Sequence, residues 1–219
     1  MIILRYYLLA SFFAVCSLAF SQEWNFGAEA GFVHNRLKTE DYSSHPLNGF
    51  RFGISANLTL PNEIAFESGI SYIRKGGKVF SQEKNGMSNQ GIHSIRFAQM
   101  DYIQLPFMIG YKINFPNQIS IIPEAGAYFA VGINGDSFVT GYDSFRQPYE
   151  SRVSTFSNGY GKPYRPCNRI DGGLSFALKL KWSNCEIKAA YDFGMTTVTY
   201  YGNGKQRTLS VTFGYWLFK

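Results

Sequence analysis

Phe50-Arg51-Phe52-Gly53-Ile54-Ser55-Ala56-Asn57-Leu58-Thr59-Leu60 alternates apolar and polar residues along its whole length. Successive side chains of a strand point to opposite faces. Phe50, Phe52, Ile54, Ala56, Leu58 and Leu60 therefore share one face, and Arg51, Gly53, Ser55, Asn57 and Thr59 share the other. Two closed barrels use a strand with one oily and one wet face. A soluble barrel turns the oily face inward. A membrane barrel turns it toward lipid and keeps small and charged residues inside.

Seven further segments repeat the pattern, at residues 23–34, 63–74, 97–113, 118–133, 169–182, 185–198 and 206–218. Their apolar sets include Trp24, Phe26, Ala28, Ala30 and Phe32, and later Leu174, Phe176, Leu178, Leu180 and Trp182. The opposite faces combine charges with many glycines. Glycine weakens a strand, so a water-facing surface has no need of it, whereas a narrow interior does. The connections agree. Pro61-Asn62, residues 114–117 and Ser183-Asn184 are short turns, and they alternate with longer links at 34–48, 75–96 and 134–168, while the link at 201–205 is shorter. Short periplasmic turns and long outer loops are the habit of a membrane barrel. The expected fold is all-β, an eight-stranded antiparallel up-and-down transmembrane β-barrel. The soluble alternative is a periplasmic lipocalin-like carrier.

Residues 1–21 read as a secretory signal, with Arg5, an apolar run from Leu8 to Phe20, and the small residues Ala19 and Ser21 ahead of a cleavage site. That run is about 13 residues, short of the roughly 20 a spanning helix needs. Residues 22–219 then form one barrel domain. Without Arg5, 20 basic side chains face 15 acidic ones, a mild excess that no nucleic-acid-binding motif accompanies. Aromatics at 17% suit girdles at the two membrane surfaces. These features place the protein in the outer membrane of a Gram-negative bacterium, among outer-membrane lipid and lipopolysaccharide, with no nucleic-acid partner.

Tyr102-Ile103-Gln104-Leu105-Pro106-Phe107-Met108-Ile109-Gly110-Tyr111-Lys112 resembles the strand "Y-hydrophobic-x-I/L-P-L-L-x-x-Y-K" of PorT-like outer-membrane β-barrel proteins of Bacteroidota-type bacteria. Gly110 before Tyr111 departs from that pattern. A Gly-rich strand pair ahead of it and a signal ending before Gln22 are similar too. The resemblance implies an eight-stranded outer-membrane barrel with no enzymatic activity, no cofactor and no known ligand. Some relatives assist protein secretion or gliding-type machinery, so an accessory role in secretion is one implied alternative.

An eight-stranded interior is just wide enough to be filled by side chains. Glu29, Arg51, Glu67, Lys112, Glu124, Lys179, Lys188 and Asp192, with Asp171 and Lys181, fall on the inward faces. Unpaired burial costs several kcal/mol per charge, so these residues are expected to pair as a closed plug rather than line an ion path. Cys167 and Cys185 are expected to stay unpaired. About a dozen strand residues at some 3.3 Å each separate their ends, against a limit of about 7 Å between bridged α-carbons.

Catalysis has one candidate by residue type. His34, Ser43 or Ser44, and Asp41 lie near the outer rim, as an outer-membrane lipid-modifying enzyme would require. Spacing suitable for a metal is lacking. The 134–168 link is the most distinctive surface, with Phe138, Tyr142, Phe145, Tyr149, Phe156, Tyr160 and Tyr164 among Arg146, Arg152, Lys162 and Arg165. Tyr and Arg are favoured interface residues, which makes Tyr142, Tyr149, Arg152, Tyr160, Tyr164 and Arg165 candidate contacts for a protein or glycan partner. The same aromatics suit a loop folded over the barrel mouth. The 75–96 link offers Lys75, Lys78, Lys84 and Arg96, against Glu83, either to lipopolysaccharide phosphates or simply to solvent.

Overall fold

The structure, a computed structural model, describes residues 23–40, 43–80, 91–142, 147–156, 167–199 and 203–218. Eight strands form the wall: β1 (Glu23–Lys38), β2 (Ser43–Thr59), β3 (Ile64–Phe80), β4 (Gly91–Tyr111), β6 (Ile119–Tyr142), β8 (Ile170–Trp182), β9 (Cys185–Gly194) and β10 (Lys205–Phe218). Two short strands, β5 (Ile113–Phe115) and β7 (Pro148–Ser154), pair only with β6. Each wall strand pairs antiparallel with its neighbours. β1 pairs with β10 and β4 with β6, so the ring closes and no wall strand is left as an edge.

Orientation follows the alternation. Phe52, Ile54, Phe176, Leu178, Val211 and Phe213 all point outward and are half or more exposed. Arg51, Glu67, Lys179 and Thr212 are buried inside. A soluble carrier needs the reverse, and the lipocalin-like alternative fails on this point. Trp24, Tyr111, Phe115 and Trp182 mark the periplasmic border of the apolar band, and Phe32, Phe50, Ile133 and Phe193 mark its outer border. Among the described residues, no helix is long and apolar enough to cross a membrane.

The periplasmic turns are tight because few residues must reverse the chain. Glu63, Asn117, Gln118 and Ser183 adopt left-handed backbone there, with φ of 65°, 64°, 61° and 54°. Glycine is required where strands crowd. A Cβ on Gly31 would stand 2.0 Å from the carbonyl oxygen of Val211 on β10.

Several strands run beyond the sequence expectation, all at the outer end. Residues 34–48 are mostly ladder, with His34 opposite Asn48 and Asn35 opposite Leu47. β3 and β4 stay paired out to Phe80 and Ser94, and β6 continues to Tyr142, where β7 folds back on it. Backbone groups above the bilayer still gain by pairing, so the ladder continues past the point where lipid stops imposing apolar alternation. The expected signal segment lies outside the described residues.

Candidate functional site: the filled bore and the outer rim

The middle of the bore is a charged layer. Lys179 on β8 bridges Glu67 on β3 and Glu124 on β6, the latter at 2.6 Å. Lys188 on β9 bridges Glu67 at 3.0 Å and also Glu29 on β1. Arg51 Nε lies 3.0 Å from Glu29 Oε1, close enough for an ion pair but without hydrogen-bond alignment. Glu186, which the sequence reading missed although its parity matches Lys188, accepts a hydrogen bond from Trp216 Nε1 at 3.0 Å. Glu124 keeps one buried oxygen without a partner, beside a void of about 10 Å³, room for roughly one water molecule.

One step outward, Lys75 Nζ meets Asp171 Oδ2 at 3.1 Å, and both side chains are fully buried. The Tyr128 hydroxyl donates to the same oxygen at 3.2 Å. Lys75 was expected on an outer link. β3 does not stop at Arg74, and its alternation carries Lys75 into the bore. Asp192 lies inside as expected but forms hydrogen bonds rather than an ion pair, accepting from Gln104 at 2.9 Å and Ser175 at 2.6 Å.

Lys112 is a correction. β4 ends at Tyr111, and Lys112 keeps the inward parity but sits at the periplasmic mouth, where among the described residues it forms no ion pair with the charged layer. It lines a polar recess of about 320 Å³ with Asn25, Asn57, Lys181 and Trp216. Lys181 also belongs to this recess, with its ammonium 5.0 Å from the Trp216 ring centre.

The outer mouth is closed by apolar packing. Val33, Leu37, Ile73, Met100, Tyr102, Tyr128, Ala130, Phe156, Cys167 and Val198 form one buried cluster. Phe156 comes from the 134–168 link and packs edge-on against Tyr102, with ring centres 5.6 Å apart. Gly132 makes room for it, since a Cβ there would lie 2.5 Å from the Phe156 ring. Arg169 holds this segment by donating to the carbonyls of Gly132 and Phe156. Part of the expected binding loop is therefore barrel framework.

Of the candidate contact residues, Arg152 on β7 is exposed and pairs with Asp136 on β6 at 2.5 Å. Tyr142 and Tyr149 stand opposite one another's neighbours at the tip of the β6–β7 hairpin, in the pairs Tyr142–Pro148 and Gly141–Tyr149. Tyr160, Tyr164 and Arg165 lie outside the described residues. So do Asp41 and Lys84. His34 is exposed on the outer face and hydrogen-bonds Asn48 at 2.8 Å. Ser44 is buried and accepts from Arg36 Nε at 3.2 Å. These two candidate catalytic residues do not meet. Cys167 and Cys185 are both free thiols, at opposite ends of the barrel, because Cys185 opens β9 at the periplasmic turn.

A family model described as "Outer membrane protein beta-barrel domain" matches residues 20–202. No curated protein sequence matches the chain. Among solved structures, the chain is similar to Ail, the attachment invasion locus protein of Yersinia pestis, solved in complex with the heparin analogue sucrose octasulfate. That match has 15% identity and a TM-score of 0.41, and it covers 89% of this chain and 99% of that one. Neisserial surface protein A is similar at 14% identity and a TM-score of 0.43, covering 88% and 97%. A major outer membrane protein of Thermus thermophilus is similar at 10% identity and a TM-score of 0.44, covering 89% and 99%.

Proposed function

The chain belongs to the outer membrane protein β-barrel domain family, and from that premise we propose that it is a closed, non-enzymatic barrel that holds a contact surface above the outer membrane. The partner is a protein, a glycan or lipopolysaccharide. The observation that carries this reading is the β6–β7 hairpin. Its register continues from Asp136–Ser154 to Tyr142–Pro148, beyond Ile133, the last lipid-facing residue of β6. A paired hairpin costs less to order on binding than a free loop of equal length, because its backbone is already fixed. Tyr142, Tyr149 and Arg152 stand on that platform, and Tyr160, Tyr164 and Arg165 follow it in sequence.

The filled bore supports the closed part of the reading. Lys179, Glu67, Glu124, Lys188 and Glu29 pair across it, and Phe156 caps it. The Tyr102–Lys112 strand supports a place among PorT-like barrels, with service to a secretion machinery as the finer possibility.

The test replaces residues 141–149 with a short Gly/Ser turn and keeps Phe156 and Arg169. The variant should still migrate as a folded, heat-modifiable barrel in the outer membrane. Glycan-array and pull-down signals seen with the intact protein should be lost. Retention of every signal would remove the hairpin from the function.

A further inference from the structure

We propose that Arg36, Lys38, Lys205 and Arg207 form a site on the outer wall of the barrel for the phosphorylated headgroup of a glycolipid in the outer leaflet. Strands β1 and β10 are registered so that Arg36 lies opposite Arg207 and Lys38 opposite Lys205. Between them Leu37 and Gln206 point inward and are fully buried, so the four cations share the outward face. Neighbouring strands lie about 4.8 Å apart and next-but-one residues about 6.6 Å apart, which sets the four Cα positions on a small rectangle of wall, from which Arg36 leans toward β2 and Arg207 toward β9.

That arrangement works against the fold, because like charges directly opposite one another in a ladder repel. Among the described residues, none of the four makes an ion pair. Arg36 donates through Nε to the Ser44 hydroxyl at 3.2 Å. Arg207 donates to the carbonyls of Gly194 at 2.5 Å and Gln206 at 2.8 Å. Glu40, two residues beyond Lys38, is exposed and pairs with none of them. A multivalent anion from outside the chain offsets the repulsion.

Height on the wall selects the anion. Directly below the rectangle the outward pairs are His34–Leu209 and Phe32–Val211, and Phe32 is 81% exposed. The Arg207 guanidinium rests on the face of the lipid-facing Phe193 ring, 3.6 Å from its centre. The cations therefore begin where the apolar band ends, at the level of headgroup phosphates. A glycolipid seated here lays its acyl chains on Phe32, Val211 and Leu209. Its phosphates meet two ammoniums and the guanidinium N–H groups that Ser44, Gly194 and Gln206 leave free. A soluble anion would meet the same charges but gain nothing from the apolar surface below. The proposal rests on which end of the barrel faces outward and not on the β6–β7 hairpin, so either reading can fail alone.

The experiment places the full barrel in phosphatidylcholine vesicles containing bis-phosphorylated lipid A or its dephosphorylated form, and measures which lipid co-purifies. Wild-type protein should retain the phosphorylated form preferentially. Lys38→Gln/Lys205→Gln, verified as heat-modifiable, should lose about thirtyfold of that preference, since each basic residue near a charged membrane surface contributes about fivefold. If the double variant fails to fold, Lys38→Gln alone carries the test at about fivefold. Equal retention of both lipids by wild type, an unchanged preference in the variant, or full displacement by millimolar inorganic phosphate would overturn the proposal.

Discussion

Halfway up the bore, filling by ion pairs gives way to filling by apolar contact. In the central layer every side chain comes from the wall, and partners far apart in sequence meet across the bore, as Lys188 and Glu67 do across 121 residues. At the outer mouth the filler comes partly from outside the wall, with Phe156 and Cys167 supplied by a link and seated against Tyr102, Gly132 and Val198. The charged layer gains little net energy over an apolar one of equal shape, because desolvation consumes most of the attraction. What it does is penalise any register that leaves a charge unpaired. The mouth contributes ordinary burial energy but little register information. One layer specifies the barrel and the other seals it.

The sharpest way to break this contrast is Lys179→Met, which strands Glu124 and leaves Glu67 with Lys188 alone. Loss of one partner from a buried pair costs about 3–5 kcal/mol, to be read as a lowered urea midpoint in detergent-refolded protein. Adding Glu124→Gln should recover much of it, since Glu67 keeps Lys188. A double variant no more stable than the single one would mean that the layer acts by something other than charge matching.

Phe156→Ala addresses the seal. Truncating a buried Phe costs about 3 kcal/mol at the lower end of its usual range, because the link that carries it can relax. The loss should stay local. Amide exchange and proteolysis near residues 155–169 should quicken while the wall strands keep their protection. A global loss equal to that of Lys179→Met would erase the distinction between the layers.

Leu178→Arg examines the outside of the wall beside the charged layer. Arginine at the bilayer midplane costs about 2–4 kcal/mol, less toward the interfaces. Leu178 lies between the mid-strand Phe176 and the border residue Trp182, so about 2 kcal/mol is expected. Unchanged unfolding in vesicles would argue that this face does not meet lipid.

The wall was legible in the sequence because lipid and bore impose opposite chemistry on alternate residues. Glu29, Arg51, Glu67, Glu124, Lys179 and Lys188 could be assigned to the interior from parity alone, and the structure joins them. Lys75 went wrong because nothing in the local sequence said that β3 runs past Arg74, whereas Lys112 kept its inward parity but, past the end of β4 at Tyr111, joined the periplasmic recess and not the charged layer. The seal was hidden for another reason. Phe156 lies in a stretch rich in exposed-type residues, and its burial depends on the gap at Gly132 on a different element. The unpartnered oxygen of Glu124 was out of reach of any reading that counts charges without placing them.

The seam between β1 and β10 has a kinetic consequence. Thr212 on β10 donates to Glu29 on β1 across 183 residues, so the first wall strand waits for the last before it can be paired on both sides. Contacts this distant in sequence slow folding, because closure entropy is spent before the contacts repay it. Until β10 arrives the sheet has two open edges, each a template for another chain. Assembly is thus a race between ring closure and edge-to-edge association, and a chaperone that shields β1 until residues 205–218 are available would act on the slowest step.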